Sequence, residues 1–445
     1  MLRILKHPVF ARLFLAQVIA LLGTGLLTVA LGLLAYDLAG DAAGVVLGFA
    51  FTIKMVAYVG LAPIAHALVE RFPRKAVLIG ADLIRAFVAL FLPFIDSVWQ
   101  IYLLIFVLQA ASATFTPAFQ ALIPDILKDE GDYTKALSLS RLAYDLENLM
   151  SPVLAGILLM LMNYHWLFGG TVIGFVVSAL LVAFTAIPAL RRQTKQRPFH
   201  ERLTRGTRIY LATPRLRGLL SLNLAAAAAG AFILVNTVVI VRVGYGGEAV
   251  HLAYAMAAFG GGSMLAALTL PRLLETLTDR SVMVVAAFLL AALTLGHAIY
   301  SLIATPVIWG TFLLIWAISG MLYSAILTPS GRLLRRSAHA EDRPAIFAAQ
   351  FALSHACWLI TYPVAGWAGH AFGMPVAMII LGVVALFGAI LSLLLWPKGS
   401  ANVIAHTHPD LPADHAHFKH HQGHGKTHAH VFVIDDEHKV WPTHG

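Results

Sequence analysis

Twelve apolar segments constrain the fold of this chain more than any other feature. Each is close to the roughly 20 residues that a helix needs to cross a hydrocarbon core of about 30 Å. Hydrophobic residues make up 59% of the chain and charged residues 12%, which is about half the charged share of an ordinary soluble domain. The sequence therefore predicts an all-α membrane protein whose solvent is the lipid bilayer. The predicted spans are Phe14–Tyr36, Val45–Ala67, Val77–Phe94, Ile101–Phe119, Ala136–Met162, Phe168–Ile187, Leu219–Val241, Leu252–Leu270, Val282–Ile303, Val307–Ile326, Ile346–His370 and Pro375–Leu395.

A basic polar stretch, Arg191 to Arg217, divides these spans into two sets of six. Lys and Arg also recur in every second loop, whereas the intervening loops carry Asp37, Asp41 and Asp96. Cytoplasmic loops collect basic residues, so both termini are predicted to be cytoplasmic. The net charge of +9 then indicates topology and not a nucleic-acid partner. The predicted units are an N-terminal bundle (1–190), a linker (191–217), a C-terminal bundle (218–397) and a tail (398–445).

The two sets of spans also resemble each other in sequence. His7–Gln17 matches Thr213–Asn223, Phe115–Gln120 matches Leu327–Arg332, and Lys135–Pro152 matches Ile346–Pro363. Chance similarity between apolar helices explains a single match easily. Three matches in the same order and at nearly one offset favour an internal duplication, which predicts two pseudo-symmetric six-helix bundles.

The loop after the second span, from His66 to Lys75, resembles the gate motif G-x-L-x-D-R-x-G-R-[RK] of the major facilitator superfamily. It departs from the motif at His66 and Pro73, where the family usually has glycine. The resemblance implies ion pairs and helix-end charges that hold the cytoplasmic side shut. The alternative is a basic loop that sets topology and has no gating role. The candidate gate residues are Glu70, Arg71, Arg74 and Lys75 and, in a partial second copy, Asp279 and Arg280.

A closer resemblance, to the histidine-tailed nickel-resistance permeases of that superfamily, covers both halves and the tail. It rests on Phe51–Pro63, Asn236–Arg242, Ala348–Trp367 and the residues after Lys398. This resemblance implies export of Ni(II), and of Co(II) as a second ion, in exchange for protons. The sequence contains no Walker-type loop, so ATP bound to this chain is not expected to supply the energy. No hydrolytic or redox constellation is visible, and we do not expect an enzyme.

Charged side chains inside the spans are candidates for the transport pathway, because a charge near the bilayer centre costs several kcal/mol unless it is paired or hydrated. Lys54 lies near the middle of the second span without a local partner. We hypothesise that it pairs with an acid of another helix and that the pair breaks as protons or substrate load. Pairs within one helix, such as Asp82 with Arg85, have the alternative role of locking helices together. The candidate transport and coupling residues are Lys54, Asp82, Arg85, Arg141, Asp145, Glu147 and His355.

His355 is the candidate metal ligand within the spans, because imidazole suits borderline-soft ions such as Ni(II), Co(II) and Zn(II). The alternative is a buried histidine that only forms hydrogen bonds. Cys357 is two residues away, and on a helix the two side chains point about 200° apart. We therefore do not expect them to bind one ion together.

The tail holds eleven of the twenty histidines of the chain. His-x-His in an extended segment can place two imidazoles on one side of the chain, so the tail is predicted to bind divalent metal, with affinity falling below about pH 6. Its open roles are a metal collector for the pore, a buffer, a sensor that docks on the gate, or a solvated extension. Val431–Trp441 is predicted to form a small hairpin. The candidate ligands are His406, His408, His415, His417, His420, His421, His424, His428 and His430.

The sequence as a whole predicts a monomeric secondary transporter of the bacterial inner membrane. It would exchange nickel or cobalt for protons by alternating access between its halves and would require no cofactor. One alternative is an exporter of a drug, siderophore or metal chelate whose tail only senses metal. The other is a membrane receptor or metal store that transports nothing.

Overall fold

The computed structural model describes residues 2–39, 43–69, 72–187, 198–247, 249–303, 307–398, 403–407, 422–424 and 427–442. Within these ranges the chain forms fourteen α-helices and one three-stranded antiparallel sheet. The helices are α1 (Pro8–Ala39), α2 (Ala43–Val69), α3 (Arg74–Phe91), α4 (Val98–Ile126), α5 (Glu130–Leu159), α6 (His165–Ala183), α7 (Phe199–Ala212), α8 (Pro214–Val239), α9 (Ala249–Thr276), α10 (Asp279–Ile303), α11 (Trp309–Leu327), α12 (Ser330–Arg336), α13 (Arg343–Phe372) and α14 (Met374–Leu395). The strands are β1 (Val403–Thr407), β2 (Gln422–His424) and β3 (Thr427–Val431).

Ten of the described helices are long and apolar enough to cross a membrane. Helix α2 contributes a shorter apolar stretch, Thr52–Ala65. Some side chains of α2 and α5 lie outside the described residues. With α2 and α5, these helices account for all twelve predicted spans, each of which overlaps one of them. Large apolar side chains such as Phe87, Ile173 and Leu394 are exposed, as expected where lipid replaces water. The prediction of an all-α membrane protein is confirmed.

The membrane helices of the first half are α1 to α6. Those of the second half are α8 to α11, α13 and α14, and this half also contains the short helix α12. Pro8 begins α1 and Pro214 begins α8, and these are the two prolines that the sequence repeat pairs. Proline suits the first position of a helix because its missing N–H would have no intrahelical partner there. The halves differ at the second match: α4 runs through Pro117, whereas Pro329 separates α11 from α12.

A helix, α7, occupies part of the predicted linker. It spans Phe199–Ala212, and the first membrane helix of the second half then begins at Pro214, four residues before the predicted boundary at 218. The shift arises because Pro214 can start a helix directly after the extended Thr213. Residues 191–197 of the predicted linker lie outside the described residues.

The described residues of the tail form a small folded unit. Strand β3 lies between β1 and β2, and His406 of β1 is paired with His428 of β3. The predicted hairpin in Val431–Trp441 is wrong: Phe432, Val433 and Ile434 are all buried, and Phe432 and Ile434 join the core of the second half. Three consecutive buried side chains cannot follow the alternation of a hairpin strand with one exposed face, and a turn at Asp435–His438 follows them.

Close helix packing in the second half depends on glycine. A Cβ on Gly262 of α9 would lie 1.8 Å from the backbone oxygen of Ala317 in α11, whereas a Cβ on Gly260 would meet nothing within 4 Å. We expect Gly262→Ala to force α9 and α11 apart and to lower the stability of the purified protein by about 1–3 kcal/mol, the usual cost of overpacking. Thermal unfolding in detergent measures this, with Gly260→Ala as the matched control. Equal melting temperatures for the two variants would contradict the close approach.

Candidate transport site

One end of the helix bundle, here called the linker end, is formed by α7, the α4–α5 connection and the α12–α13 connection. Asp125, at the end of α4, accepts hydrogen bonds from Arg74 of α3 at 2.6 Å and from Arg343 of α13 at 2.7 Å. Arg343 belongs to the second half and Arg74 to the first. A single carboxylate therefore joins the two halves at this end.

A second ion-pair cluster joins the halves beside the first. Arg332 of the second half contacts Glu130 at 3.3 Å and donates to Thr134 at 2.5 Å, and both acceptors belong to α5 of the first half. Asp279 lies 2.9 Å from both Arg332 and Arg336, and Arg336 also contacts Glu130. With these contacts made, the linker end is closed.

The predicted gate residues have different positions in this arrangement. Arg74 and Asp279 each belong to one of the two clusters, whereas Arg280 donates to the backbone oxygen of Trp396 at 2.7 Å. Lys75 has no ion pair among the described contacts, and Glu70 and Arg71 lie outside the described residues. The sequence analysis missed the partner acids Asp125 and Glu130, although acidic residues in an otherwise basic set of loops were a visible signal.

Lys54 lies between helices at the contact of the two halves. Its Nζ atom is 5.6 Å from the centre of the Tyr58 ring, and it interacts electrostatically with Glu147 of α5 and with His355 of α13. The Tyr58 ring packs against Phe351 at 4.7 Å and against His355 at 4.8 Å. Side chains of α2 and α13 thus meet in one place, and Glu147 of α5 is near enough to act on Lys54 electrostatically. This group is here called the central cluster: Lys54, Tyr58, Glu147, Phe351 and His355.

His355 has a defined orientation in the central cluster. Its Nδ1 atom lies 2.7 Å from the backbone oxygen of Phe351 and must donate to it, since a carbonyl oxygen only accepts. The neutral ring then carries a lone pair on Nε2. Cys357, by contrast, is buried, and its thiol lies 3.5 Å from the backbone oxygen of Leu353. This contact gives no indication that Cys357 shares a metal ion with His355.

Arg141 also connects the halves, at the contact of α5 with α9. Its Nε atom donates to Ser263 at 3.2 Å, and its guanidinium lies 4.9 Å from the centre of the Tyr323 ring. The side chain of Asp145, which the sequence places on the same face, lies outside the described part of the structure. Arg141 therefore packs across the interface between the two halves, and its role in coupling stays a prediction.

Asp82 and Arg85 form a buried ion pair within α3. Asp82 also accepts from Ser178 of α6 at 2.8 Å, and the Arg85 guanidinium lies between Phe115 at 4.3 Å and Phe175 at 4.5 Å. Arg85 lines a cavity of about 40 Å³ together with Gln17 and polar groups of α1, α4 and α5, large enough for a water molecule. These contacts favour the locking role for this pair.

The described tail brings three histidines together: His406 of β1, His430 of β3 and His438 of the following turn. One nitrogen from each lies within 4.8 Å of the others, and His406 Nε2 is 3.0 Å from His438 Nε2. His438 was not among the predicted ligands, and only its fold position brings it to the cluster. His428 lies beside them, its ring centre 4.6 Å from that of His406. Five of the remaining predicted ligands lie outside the described residues: His408, His415, His417, His420 and His421. The sixth, His424, ends β2, and its side chain lies outside the described part of the chain.

The turn that carries His438 contacts the linker end. Asp435 accepts from His438 at 2.8 Å and contacts His339 of the α12–α13 connection at 3.4 Å. Burial alone would raise the pKa of Asp435, but its hydrogen bonds with the two histidines hold that pKa well below its ordinary value. The hydrogen bond with Asp435 in turn raises the pKa of His339. Asp435 is therefore ionised at neutral pH.

A second acid, Asp436, contacts α7. Arg205 donates to Asp436 at 2.8 Å and binds both carboxylate oxygens of Asp342, the residue before α13, at 2.5 and 2.8 Å. Burial by itself would lower the pKa of Arg205, but these two carboxylates raise it above its ordinary value. The same helix α7 also contacts the first half, where Arg202 donates to the backbone oxygen of Ala67 at 2.6 Å. The tail, the linker helix and both halves are thus connected.

Comparison with known proteins agrees with this architecture. A family model described as Major Facilitator Superfamily matches residues 13–310 and 249–420, which together cover most of the chain. The chain belongs to the major facilitator superfamily. It is a multi-pass membrane transporter of that superfamily, and this confirms the coarser part of the predicted resemblance.

Relatives within the superfamily include exporters. Macrolide efflux protein A of Streptococcus pyogenes is 27% identical over 186 residues, which cover 41% of this chain and 45% of that protein, so the match spans less than half of the relative. The uncharacterized MFS-type transporter YvqJ of Bacillus subtilis is 24% identical over 76% of this chain and 81% of its own length.

Two solved major facilitator structures share the fold. A bacterial homologue of the iron transporter ferroportin, in an outward-facing state, has a TM-score of 0.68 at 14% identity and covers 87% of this chain and 98% of its own. The Escherichia coli fucose:proton symporter FucP has a TM-score of 0.67 at 16% identity over the same shares of the two chains.

Proposed function

We propose that this transporter exports divalent nickel, and cobalt as a second ion, from the cytoplasm of a bacterium in exchange for protons. The observation that carries the proposal is the three-histidine cluster, which brings ligands suited to borderline-soft cations onto the body of a transporter. The basic residues of the loops favour a cytoplasmic linker end. With that end closed, the central cluster would be reached from the outside.

The central cluster offers a physical basis for exchange. A carboxylate binds a proton or a divalent cation but not both, and Lys54 competes with the cation for Glu147. When metal binds Glu147 and the Nε2 of His355, the cation repels Lys54. When Glu147 takes a proton from outside, the metal loses its negatively charged ligand and is released. Two ligands from two halves give the weak site that release requires.

A second candidate function is export of an organic molecule. Beside the central cluster, Trp358 and Tyr362 pack with ring centres 4.9 Å apart, and Tyr323 lies 6.3 Å from Trp358. Such aromatic side chains suit a large, partly apolar substrate. The similarity to macrolide efflux protein A supports this alternative, and in that case the tail would only sense or buffer metal.

Uptake of radioactive ⁶³Ni into inverted membrane vesicles with an imposed pH gradient tests the proposal directly. We expect nickel accumulation that collapses when a protonophore removes the gradient, and competition by cobalt. Vesicles that carry Glu147→Gln provide the control for leakage. If neither vesicle preparation accumulates nickel and the same protein exports a macrolide, the organic alternative replaces the proposal.

A further inference from the structure

The hydrogen bonds of the three tail histidines determine which nitrogen each ring presents. His406 Nδ1 lies 3.0 Å from the oxygen of Ile404, His430 Nδ1 lies 2.9 Å from the oxygen of Val431, and His438 Nδ1 lies 2.8 Å from Asp435. Each acceptor is an oxygen without a proton, so each Nδ1 donates. Every neutral ring therefore carries its lone pair on Nε2.

These Nε2 lone pairs converge. His406 Nε2 and His438 Nε2 are 3.0 Å apart, and two neutral rings whose protons are both on Nδ1 cannot hydrogen-bond to each other at this contact. Two nitrogen ligands about 2.1 Å from one metal ion, at a right angle, are about 3.0 Å apart. His430 completes a group whose ligand atoms lie within 4.8 Å of one another. A cation between the rings would bind through all three lone pairs.

We propose that His406, His430 and His438 bind one borderline-soft divalent cation through Nε2, and that this ion fastens the tail to the linker end. The ligands come from β1, from β3 and from the turn at Asp435–His438, so one ion cross-links the sheet to the turn. Asp435 orients His438 from behind, as a carboxylate does for a metal-bound histidine, and its other oxygen contacts His339.

The turn at Asp435–His438 connects the metal site to the membrane helices through a series of ion pairs. Beside Asp435, the neighbouring Asp436 holds Arg205 of α7, and Arg205 holds Asp342 immediately before α13. Arg343, the next residue, makes the ion pair that joins the halves through Asp125. A loaded site therefore stabilises the contacts that surround the closed linker end. Metal in the cytoplasm then regulates the transporter through the tail. This regulation rests on the proposed function, whereas metal binding by the three histidines does not depend on it.

The test uses the full-length protein in detergent and NiCl₂ as the probe. In the matched background, five histidines outside the cluster are replaced by alanine: His408, His415, His417, His420 and His421. We expect this background to retain one nickel ion in calorimetric titration, and His438→Gln in the same background to lose at least roughly 100-fold in affinity. Loss of the ion from the background itself, or unchanged affinity in His438→Gln, would overturn the site.

Docking is measured separately, by the rate of tryptic cleavage at Lys439 next to the site. We expect nickel to slow cleavage in the background and to have no effect in His438→Gln. Asp435→Ala should weaken both nickel affinity and protection. Asp436→Ala should weaken protection alone, since the described contact of Asp436 is with Arg205 of α7. Nickel binding without any protection would leave a metal site but refute the fastening of the tail. Neither assay needs flux, so a failed transport assay bears only on the proposed export.

Discussion

Lys54→Met is expected to reduce the proposed proton-driven transport by at least roughly 100-fold, which is the largest effect on transport that we expect for a single substitution. Lys54 interacts with Glu147 from another helix. Without Lys54, the carboxylate of Glu147 loses a positive charge that acts on it across the helix interface. A negative charge left uncompensated inside a protein is strongly destabilised. In this variant Glu147 would stay protonated throughout the cycle. Proton-coupled exchange then stops, and transport becomes independent of the pH gradient.

The double variant Lys54→Met/Glu147→Gln separates coupling from folding. It removes both charges, so we expect normal expression and melting temperature but no pH dependence of transport. Lys135→Met is the matched control, because Lys135 pairs with Asp132 at 35% and 47% side-chain exposure, and such pairs contribute about 0–1 kcal/mol. Vesicle uptake at two external pH values provides the measurement. Wild-type rates and pH dependence in Lys54→Met would refute a coupling role for this residue.

Asp125→Asn is expected to open the linker end. Asp125 is the common acceptor for Arg74 and Arg343, one from each half. Without its charge the two guanidinium groups face each other unneutralised, and we expect the equilibrium between closed and open linker ends to shift by about 2–4 kcal/mol, more than roughly tenfold in population. Transport then slows because the closed state is reached less often.

Distances between spin labels test this shift. Labels at Lys128 of the first half and Glu341 of the second, both exposed at the linker end, suit the measurement after Cys357, the single cysteine, is replaced by serine. We expect a longer distance in Asp125→Asn than in the parent. The control is Asp132→Asn, in the first turn of α5, which removes the exposed pair with Lys135. The distance between the labels in this variant should match the parent. An unchanged distribution in Asp125→Asn would show that other contacts keep the linker end closed.

The fold was predictable because its determinants are local. Span length, the Pro8 and Pro214 starts and the basic linker all follow from composition and period, and the structure places helices at each of the twelve predicted spans. Lys54 stood out because a charge at that depth needs a partner. The sequence could not show that Glu147 is the nearby acid, because this depends on how α2 and α5 approach each other in space.

Long-range partners account for the errors and omissions. Asp125 and Glu130 looked like ordinary loop acids, and only the approach of α12 and α13 makes them bridges between the halves. The tail shows the same effect. The His-x-His pattern indicated ligands, but His438 joins His406 across 32 residues because the turn folds back onto β1. The hairpin prediction failed because burial of Phe432 against the membrane helices overrides local alternation.

The burial of Phe432 and Ile434 changes what a deletion experiment measures. Removing the chain after Lys398 would expose the surface of the second half that these two side chains cover, at a cost of about 1.5–3 kcal/mol each. A shortened protein that reaches the membrane in low amounts would then mimic a resistance defect without any change in metal chemistry. Genetic dissection of the tail therefore requires point substitutions, and a purification handle belongs at the amino terminus, where added imidazoles stay clear of His438.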